Sequence, residues 1–593
     1  MINRNIFCFV LLVILGTTAS GMVNISPENP AIRYTGRWNF EDPSIPWVGW
    51  QGSSVIVQFD GTGIHAEMGG TNNEQYRVII DGVPETGRRY FSSDRKIHVI
   101  AEGLTDGIHT MELFKETFNG NTFFYGLEVE GPGLLPLPDR PGLRIEYFGD
   151  SNMDGSSNYS EKNEGDMGTY YAFPAMVARM LGAEMNNQSV SGAQLYGTGD
   201  NCVGSFIFSE DFYSQDPDYR SGFDPHIIVV NAGANDIWDS SKPQIKRKYK
   251  SVVADLRSVY GETPKIILMN SYGWDIKEPA NYSHEVVEEL GDPNLSVSLF
   301  PWLWEKWHGS QWDYSGEAYV LLDHIYGLNP EWKQVNPGDI IDGFGRNWDF
   351  TNGSFEHSAP FGGFGWRYYE DGVERIHDPG QAADGEFYIR LGTGEEVHQP
   401  TDATGDFLPG ATSGGETYYI TARIRGAVNG AKAQIVTDFQ GQQIWTRSKP
   451  QTTTFDVTRE WETYTASSIA PAGTWTLFTT LKSASGVVEF DSVSMSNTVP
   501  VGIASNSSYD GRGDAGRIYP HPVSDESVLK FLNSGKQQVT VQIFNSSGSL
   551  LKAIRTANNQ ISLSSSEFGK GLYLYRILTF KDYPSMGGRF IVN

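Results

Sequence analysis

The pattern of hydrophobic and polar positions changes twice along the chain. From residue 143 to about residue 329, short apolar runs alternate with segments of helical pattern. Strands that alternate with helices favour a parallel sheet covered by helices on both faces, the doubly wound α/β architecture. We predict strands at 143–150, 184–190, 226–232, 265–270 and 296–301, and helices near 169–181, 244–259, 281–290 and 315–326.

On either side of this region, short apolar runs are separated by turns rich in Gly, Asn and Asp. The runs at 54–59 and 76–80 lie before it, and those at 417–423, 433–436 and 487–491 lie after it. Short strands with such turns predict antiparallel β-sandwiches. The predicted organisation is an N-terminal β-sandwich at 22–137, an α/β domain at 138–330, a second β-sandwich at 339–498, a polar linker at 499–516 and a small C-terminal β-domain at 517–593.

The first twenty residues have the pattern of a secretory signal peptide. Asn3 and Arg4 precede an apolar run from Ile6 to Leu15, which small residues follow as far as Ser20. This run is too short to be a membrane-spanning helix, and no later apolar run approaches that length. We therefore expect residues 1–20 to be removed during export and the mature chain to have no membrane span.

The composition excludes several classes of partner. The chain of 593 residues has 71 Asp and Glu against 45 Lys and Arg, a formal net charge of −26, which would repel nucleic acid and anionic membranes. Its length exceeds what one core can hold, so we expect three or four domains. An aromatic content of 13% with 66 Gly favours β-rich, turn-rich domains.

Candidate catalytic residues follow three of the predicted strands at their carboxyl ends. Ser151 follows the first strand, Gly192 the second and Asn235 the third. Open sheets bind ligands at this edge, and a serine on a strand-to-helix turn can present its hydroxyl. The backbone N–H groups of Ser151 and Gly192 and the amide of Asn235 are candidate oxyanion-hole donors, each typically worth about 3–4 kcal/mol of barrier.

These three blocks resemble those of the SGNH (GDSL-type) hydrolase superfamily, whose serine, glycine and asparagine match Ser151, Gly192 and Asn235. The preceding sandwich, through residues 32–37 and 52–62, is similar to the second family of carbohydrate esterases. That family joins a jelly-roll to an SGNH domain. The resemblance implies the same fold here, and an enzyme that removes acetyl groups from plant polysaccharides.

The general base of such an enzyme is expected to be a histidine on the loop between the last strand and the last helix. Of the four histidines in this domain, His226 precedes the third strand, and His284 and His324 lie in predicted helices. His308 lies in the required loop and is our predicted base.

The acid that orients this histidine is less clearly marked. The family usually has an aspartate three residues before the histidine, and that position is Glu305 here. Asp313 is the alternative acid. If the resemblance holds, His308 takes the proton of Ser151, an acyl-serine forms and water hydrolyses it, with no metal or other cofactor.

The two remaining β-domains carry weaker resemblances. The second sandwich, through residues 352–356, 362–366 and 490–491, is similar to β-sandwich carbohydrate-binding modules. For each aromatic ring that could stack on a sugar, core packing is the favoured interpretation, since large aromatics dominate small β cores. The candidate stacking residues are Trp366, Tyr369 and Trp445.

The last domain, through residues 517–522, 571–574 and 588–593, resembles the C-terminal sorting domain of type IX secretion. This resemblance implies passage through the outer membrane by that secretion machinery, followed by release or attachment to the cell surface. One more binding module is the alternative.

The sequence therefore predicts an exported serine esterase that acts on acetylated polysaccharide, with xylan as the preferred candidate. A general carboxylesterase or lipase of the GDSL type is one alternative, although the region around Ser151 lacks a long apolar stretch that would form a lid. A noncatalytic glycan-binding surface protein is the other.

Overall fold

The computed structural model describes residues 21–156, 168–271, 282–300, 311–336 and 350–496, apart from short internal gaps, together with the strands of residues 517–592. The chain forms two compact units, Met1–Thr498 and Val499–Asn593. The predicted signal peptide and the predicted linker lie outside the described residues.

Residues 22–135 form a β-sandwich of two antiparallel sheets, which we call the first sandwich. Inward-facing residues such as Val55, Val57 and Phe59 alternate with outward-facing ones and fill the space between the sheets. The strands are β1 (Met22–Ile25), β2 (Arg33–Thr35), β3 (Trp38–Asn39), β4 (Trp47–Val48), β5 (Ser54–Asp60), β6 (Gly63–Gly70), β7 (Glu74–Ile80), β8 (Val83–Pro84), β9 (Arg89–Phe91), β10 (Lys96–Ala101), β11 (Ile108–Lys115), β12 (Thr122–Glu130) and β13 (Gly133–Leu135). One sheet has the order β10-β6-β12-β4-β3 with β1 beside β12, and the other has the order β13-β5-β11-β7-β8 with β2 and β9 at its sides.

The α/β domain follows directly. Its elements are β14 (Arg144–Gly149), α1 (Ser151–Asp154), α2 (Phe173–Leu181), β15 (Glu184–Ser189), α3 (Val203–Phe206), β16 (Ser209–Asp211), β17 (Ser214–Gln215), β18 (Ile227–Asn231), α4 (Lys242–Tyr260), β19 (Lys265–Ser271), α5 (Tyr282–Leu290), β20 (Leu295–Phe300) and α6 (Gln311–Leu328). Five parallel strands run in the order β15-β14-β18-β19-β20, so the predicted doubly wound fold is confirmed.

The predicted strands and helices of this domain agree with the structure to within a few residues. The largest shifts are at the starts of α2 and α6, which begin at Phe173 and Gln311. Pro174 occupies the first turn of α2, where a missing N–H costs no helical hydrogen bond. Helices α2 and α6 pack on one face of the sheet, and α4 and α5 pack on the other. Each face buries its own apolar core.

The first sandwich is joined to the α/β domain by buried side chains, and we call this contact the seam. On the sandwich side it comprises Arg37, Trp50, Gln51, Gly52 and Glu116. Trp50 is fully buried and belongs to the apolar core on the α4 face, so the first sandwich contributes a side chain to the core of the α/β domain.

Arg37 is a fully buried charged side chain of the seam. Its guanidinium donates to Glu146 Oε1 at 2.8 Å, to Phe206 O at 2.7 Å and to Ser209 O at 2.5 Å, and both partners of the ion pair are 0% exposed. Glu146 lies in the middle of β14, an inner strand of the α/β sheet between β15 and β18. A buried carboxylate at that position requires a partner, and the first sandwich supplies it.

Residues 373–496 form the second sandwich. Its strands are β21 (Val373–His377), β22 (Phe387–Leu391), β23 (Glu396–Asp402), β24 (Thr417–Gly426), β25 (Lys432–Gln440), β26 (Gln451–Asp456), β27 (Glu462–Ile469), β28 (Thr476–Ser485) and β29 (Val488–Ser496). They form one sheet of order β21-β22-β29-β24-β27 and another of order β23-β28-β25-β26, with an apolar core between them.

In its described part, the second unit consists of β-strands and one short 3-10 helix, Ser565–Glu567. Its strands are β30 (Arg517–Tyr519), β31 (Ser527–Lys530), β32 (Val539–Asn545), β33 (Leu550–Thr556), β34 (Gln560–Leu563), β35 (Gly571–Leu578) and β36 (Pro584–Val592). They make a three-stranded sheet, β30-β31-β34, and a four-stranded sheet, β33-β32-β35-β36. Across the described ranges of the whole chain, no helix is both long enough and apolar enough to cross a membrane.

Candidate active site

Ser151 lies at the first position of the short helix α1, directly beyond the carboxyl end of β14. The turn is so tight that a Cβ on Gly149 would lie 2.5 Å from both Asn231 O and Met153 Sδ. Only glycine, which has no Cβ, fits there without a clash. Asp150 caps the helix, and its carboxylate accepts the Asn152 N–H at 3.1 Å. The cap fixes the backbone on which Ser151 stands.

The second block is the turn from Val190 to Ala193 after β15, which we call the oxyanion turn. Gly192 has φ of +78°, a conformation that side chains other than glycine adopt at a cost. Ser191, one residue earlier, donates its hydroxyl to Asp154 Oδ2 at 2.9 Å. The oxyanion turn is thereby tied to the helix that carries the serine.

Asn235 lies in the loop after β18 and completes the group. Its Nδ2 donates to Ala193 O at 2.9 Å and more weakly to Asp150 Oδ2 at 3.4 Å. The structure therefore brings the three predicted blocks together at one edge of the sheet, through hydrogen bonds between residues that flank Ser151 and Gly192.

Two backbone donors of this site are unoccupied. No described residue accepts a hydrogen bond from the N–H of Ser151 or from that of Gly192. Backbone N–H groups in compact folds are nearly always paired. Two that have no described acceptor, on two of the three loops that converge here, are suited to bind an oxygen atom that gains negative charge.

Buried carboxyl groups surround the serine. Burial, reinforced by the charges of Asp154 and Asp236, raises the pKa of Asp150 to about 7. Burial also raises the pKa of Asp154 to about 6, although hydrogen bonds from Ser156 and Ser191 act against it. The pKa of Asp236 is raised by burial as well, despite its ion pair with Lys248. Burial of these neighbouring carboxyl groups disfavours their charged forms, which is why the pKa of each is raised.

Asp154 and Tyr314 are site residues that the sequence pattern did not reveal. Asp154 accepts from both the backbone N–H and the hydroxyl of Ser156, at 2.9 and 2.8 Å, as well as from Ser191. The Tyr314 hydroxyl, on α6, donates to Ser156 O at 2.9 Å and lies 3.4 Å from Ser151 O. A lone aspartate after a serine motif carries no periodic signal, so only its three-dimensional partners identify it.

Two of the histidines that the sequence argued against as the base, His226 and His324, form hydrogen bonds within the domain fold. His226 lies at the amino end of β18, where its Nδ1 accepts the Arg144 N–H at 3.2 Å, on the far edge of the sheet. His324 Nε2 lies 2.8 Å from Ser296 Oγ within the domain. The predicted base His308 and its predicted acid Glu305 lie outside the described residues, as does the side chain of Asp313.

For one candidate sugar-stacking residue, the prediction of a stacking role is wrong. Trp366 is 0% exposed, and its ring packs against Phe350 and Phe355 with centroids 5.0 and 5.8 Å away. It fills the core of the second sandwich, because a large aromatic side chain contributes most of the apolar area available to a small β core. Tyr369 and Trp445 lie outside the described residues.

Trp238 presents an aromatic ring near the site. It ends a short 3-10 helix, Asp236–Trp238, that follows Asn235, and 48% of its surface is exposed. Within the described part of the chain, no group of three or more His, Cys, Asp or Glu side chains is arranged to hold a metal ion.

Three segments of the chain match known families. Residues 34–138 match the Carbohydrate esterase 2 N-terminal family, and residues 147–302 match the GDSL-like Lipase/Acylhydrolase family. Residues 517–593 match the Secretion system C-terminal sorting domain, which indicates that the chain is exported and then secreted or attached to the cell surface.

The chain is also similar to individual proteins. The chain is 28% identical over 290 residues to the Cellulase/esterase CelE of Acetivibrio thermocellus, a stretch that covers 46% of this chain and only 35% of that relative. The chain thus spans about a third of the relative's length. It is also similar to the structure of a family two carbohydrate esterase from Clostridium thermocellum in complex with cellohexaose, at 25% identity over 51% of this chain and 99% of that chain, with a TM-score of 0.46. For a family two carbohydrate esterase from Cellvibrio japonicus, the identity is 18%, the coverage 53% and 99%, and the TM-score 0.47.

Proposed function

We propose that this chain is an exported serine esterase. It contains a carbohydrate esterase 2 N-terminal domain, a GDSL-like acylhydrolase domain and a C-terminal sorting domain. Its proposed substrate is acetylated plant cell-wall polysaccharide, with acetyl xylan first, and its proposed export partner is the type IX secretion machinery. The observation that carries the proposal is the convergence of Ser151, the oxyanion turn and Asn235 at one sheet edge.

In the proposed reaction, His308 accepts the proton of Ser151 while Oγ attacks the carbonyl carbon of an acetyl ester. The unpaired N–H groups of Ser151 and Gly192 and one N–H of Asn235 bind the resulting oxyanion. Because the Asn235 bond to Asp150 is long, at 3.4 Å, it is the one that is exchanged for the oxyanion.

When the tetrahedral intermediate collapses, the bond between the acyl carbon and the sugar oxygen breaks, and that oxygen receives the proton from His308. Water then attacks the acetyl-serine, with His308 again as base, and acetate leaves. Glu305 is the proposed residue that orients His308. No metal or other cofactor is needed for these steps.

The test of this function is ester turnover by the full chain. We expect the wild type to release acetate from acetylated xylan and to hydrolyse 4-nitrophenyl acetate, and Ser151→Ala to lose both activities by at least about 10³-fold. Ser251→Ala, which removes an exposed hydroxyl on α4, is the matched control and should leave both unchanged. Turnover that survives in Ser151→Ala would show that another residue is the nucleophile.

Two further measurements address the alternatives. A lipase would prefer long-chain esters over acetylated xylan, whereas the proposed enzyme should prefer the polymer. A noncatalytic glycan-binding protein would bind polysaccharide and release no acetate.

The exposed ring of Trp238 favours a polymeric substrate, since an aromatic face can stack on a pyranose. We expect Trp238→Ala to raise KM for acetylated xylan several-fold while kcat/KM for 4-nitrophenyl acetate stays within about twofold, because a small ester does not reach the ring. An equal loss on both substrates would place Trp238 in the folding of the loop instead.

A further inference from the structure

A turn of three residues, Trp50-Gln51-Gly52, lies just before β5 and contacts the α/β domain beside the candidate active site. Trp50 anchors it against Phe206, with ring centroids 5.4 Å apart. Gly52 has φ of +74°, and a Cβ there would lie 2.8 Å from Met185 Cε on β15. The turn therefore rests directly on β15, the strand that leads into the oxyanion turn.

Gln51 uses this proximity to form hydrogen bonds with the last residue of β15. Its Nε2 donates to Ser189 O at 2.6 Å and to Ser189 Oγ at 3.0 Å. Ser189 Oγ in turn lies 2.8 Å from Asn187 Oδ1, and Asn187 Nδ2 lies 3.1 Å from Met153 O. All four residues are at most 1% exposed, so these bonds do not exchange with bulk water.

The chemistry of the two end groups fixes the direction of this chain of hydrogen bonds. Ser189 O and Met153 O are carbonyl oxygens, which only accept, so each must face an amide nitrogen. The Asn187 oxygen then faces Ser189 Oγ, which must donate its hydrogen to it and accept from Gln51. Every amide orientation is thus determined, and the chain has one polarity from Gln51 to Met153.

The two carbonyl groups that accept hydrogen bonds in this network, Ser189 O and Met153 O, both lie in the catalytic machinery. Ser189 O belongs to the peptide that opens the oxyanion turn, three residues before Gly192. Met153 O belongs to α1, the helix that begins at Ser151. A displacement of Gln51 would therefore move an oxyanion donor and the nucleophile at the same time.

We propose that Gln51, from the first sandwich, is a positioning residue for the esterase centre, which holds the oxyanion turn and, through Ser189 and Asn187, the nucleophile helix in register. The proposal rests on the proposed esterase function. It gives the N-terminal domain a part in catalysis that differs from substrate binding, since Gln51 is buried and cannot contact a polysaccharide.

A merely structural role and a positioning role predict different kinetics. If Gln51 only holds two domains together, its loss lowers the melting temperature and leaves kcat of the folded protein unchanged. If it positions the centre, its loss lowers kcat and leaves KM nearly unchanged, because the affected geometry matters in the transition state rather than in ground-state binding.

The experiment replaces Gln51 by Met in the full chain, which keeps the length of the side chain and removes its donors. We expect kcat for 4-nitrophenyl acetate to fall by about 10- to 100-fold, the effect of a displacement of about an ångström, with KM within about twofold. Inhibition by a methylboronic acid, a tetrahedral mimic bound through Ser151, should weaken by the same factor as kcat. The melting temperature and the circular dichroism spectrum at the assay temperature establish that the variant is folded.

Gln58→Met is the matched control. Gln58 is a half-buried glutamine of the same sandwich, on β5, and makes no hydrogen bond with Ser189. The kcat and inhibitor affinity of the Gln58→Met variant should therefore equal those of the wild type. Should Gln51→Met fail to fold, Ser189→Ala takes its place, because it removes only the central hydroxyl and should lower kcat in the same direction by a smaller factor.

A double-mutant cycle tests the chain itself. In Gln51→Met combined with Asn187→Leu, the loss in kcat should be clearly smaller than the product of the single losses, since both changes break one connected path. Unchanged kcat in folded Gln51→Met, or in Ser189→Ala, overturns the positioning role while the esterase function stands. A wild type without Ser151-dependent turnover overturns the proposed function and this role with it.

Discussion

The two sandwiches of this chain have the same kind of architecture but direct their buried polar groups differently. In the first sandwich, Arg37 and Gln51 bond to the α/β domain across the seam. In the second sandwich, the buried Asp491 accepts the backbone N–H groups of Ala383 and Asp384 at 2.8 and 3.0 Å, from a loop of the same sandwich. One sandwich completes a neighbouring domain, whereas the buried charge of the other stabilises its own loops.

This difference teaches that the role of a β-sandwich beside an enzyme domain can be inferred from the partners of its buried polar side chains. Apolar cores alone make the two sandwiches look equivalent, since each encloses one. The polar contacts separate them, because a buried donor or acceptor must find a partner and so reports where the domain is anchored. We expect changes in the first sandwich to reach catalysis and changes in the second to remain local.

The largest expected effect is that of Arg37→Ala. It would leave Glu146 as an unpaired carboxylate in the middle of the inner strand β14, which typically costs about 3–5 kcal/mol. We expect a strong drop in the melting temperature, measured by calorimetry, together with loss of ester turnover.

Arg390→Ala in the second sandwich is the comparison for Arg37→Ala. Its partner Glu489 would keep the ion pair with Arg425, so the loss of stability should be clearly smaller and turnover should persist. Equal losses in the two variants would remove the distinction between the sandwiches.

Trp366→Ala should come next in size. Truncation of a fully buried tryptophan typically costs about 3–5 kcal/mol, but the cavity lies inside the core of the second sandwich. We expect calorimetry to show a destabilised transition while kcat and KM for 4-nitrophenyl acetate stay at the wild-type values. A fall in kcat at a temperature where the protein is folded would mean that the second sandwich supports the active site.

The smallest expected effect concerns pH. The pKa of Asp154 is raised to about 6 in the folded protein, above its ordinary value, so the folded state binds this proton more tightly than the unfolded chain does. The stabilising contribution is therefore complete below about pH 4 and is lost as the pH rises through about 6. In Asp154→Asn, the decline of the melting temperature between pH 4 and pH 7 should be shallower.

Asp491→Asn extends this test to the second sandwich. Burial raises the pKa of Asp491 to about 7, so the same flattening is expected there. Only the Asp154 variant should also change the pH profile of kcat, because Asp154 bonds to the oxyanion turn. Asp224→Asn, an exposed aspartate at the far edge of the sheet, is the control that should change neither.

Much of the fold followed from the sequence because it depends on local periodicity. The five strands of the α/β sheet and its four main helices could be predicted from apolar runs and helical segments, and Ser151, Gly192 and Asn235 from their place after strands. Strand ends in a parallel sheet meet at one edge whatever the intervening sequence, so the convergence of these three residues was a topological consequence.

The residues that the sequence did not reveal depend on contacts between distant positions. Gln51 and Ser189 are 138 residues apart, and Arg37 and Glu146 are 109 apart. Neither pair leaves a trace in local patterning. Trp366 shows the reverse error, because an aromatic residue in a binding-module motif has the same sequence signature whether its ring faces solvent or the core.

The Arg37–Glu146 pair has a consequence for the order in which the chain is made. Arg37 leaves the ribosome well before Glu146, so the counter-ion is available by the time β14 emerges. A circular permutant that starts at β14 would reverse this order. The Glu146 carboxylate would then have no counter-ion in the nascent sheet until Arg37 is made near the end of synthesis. We expect such a permutant to need chaperones or to aggregate, although its finished contacts would be the same.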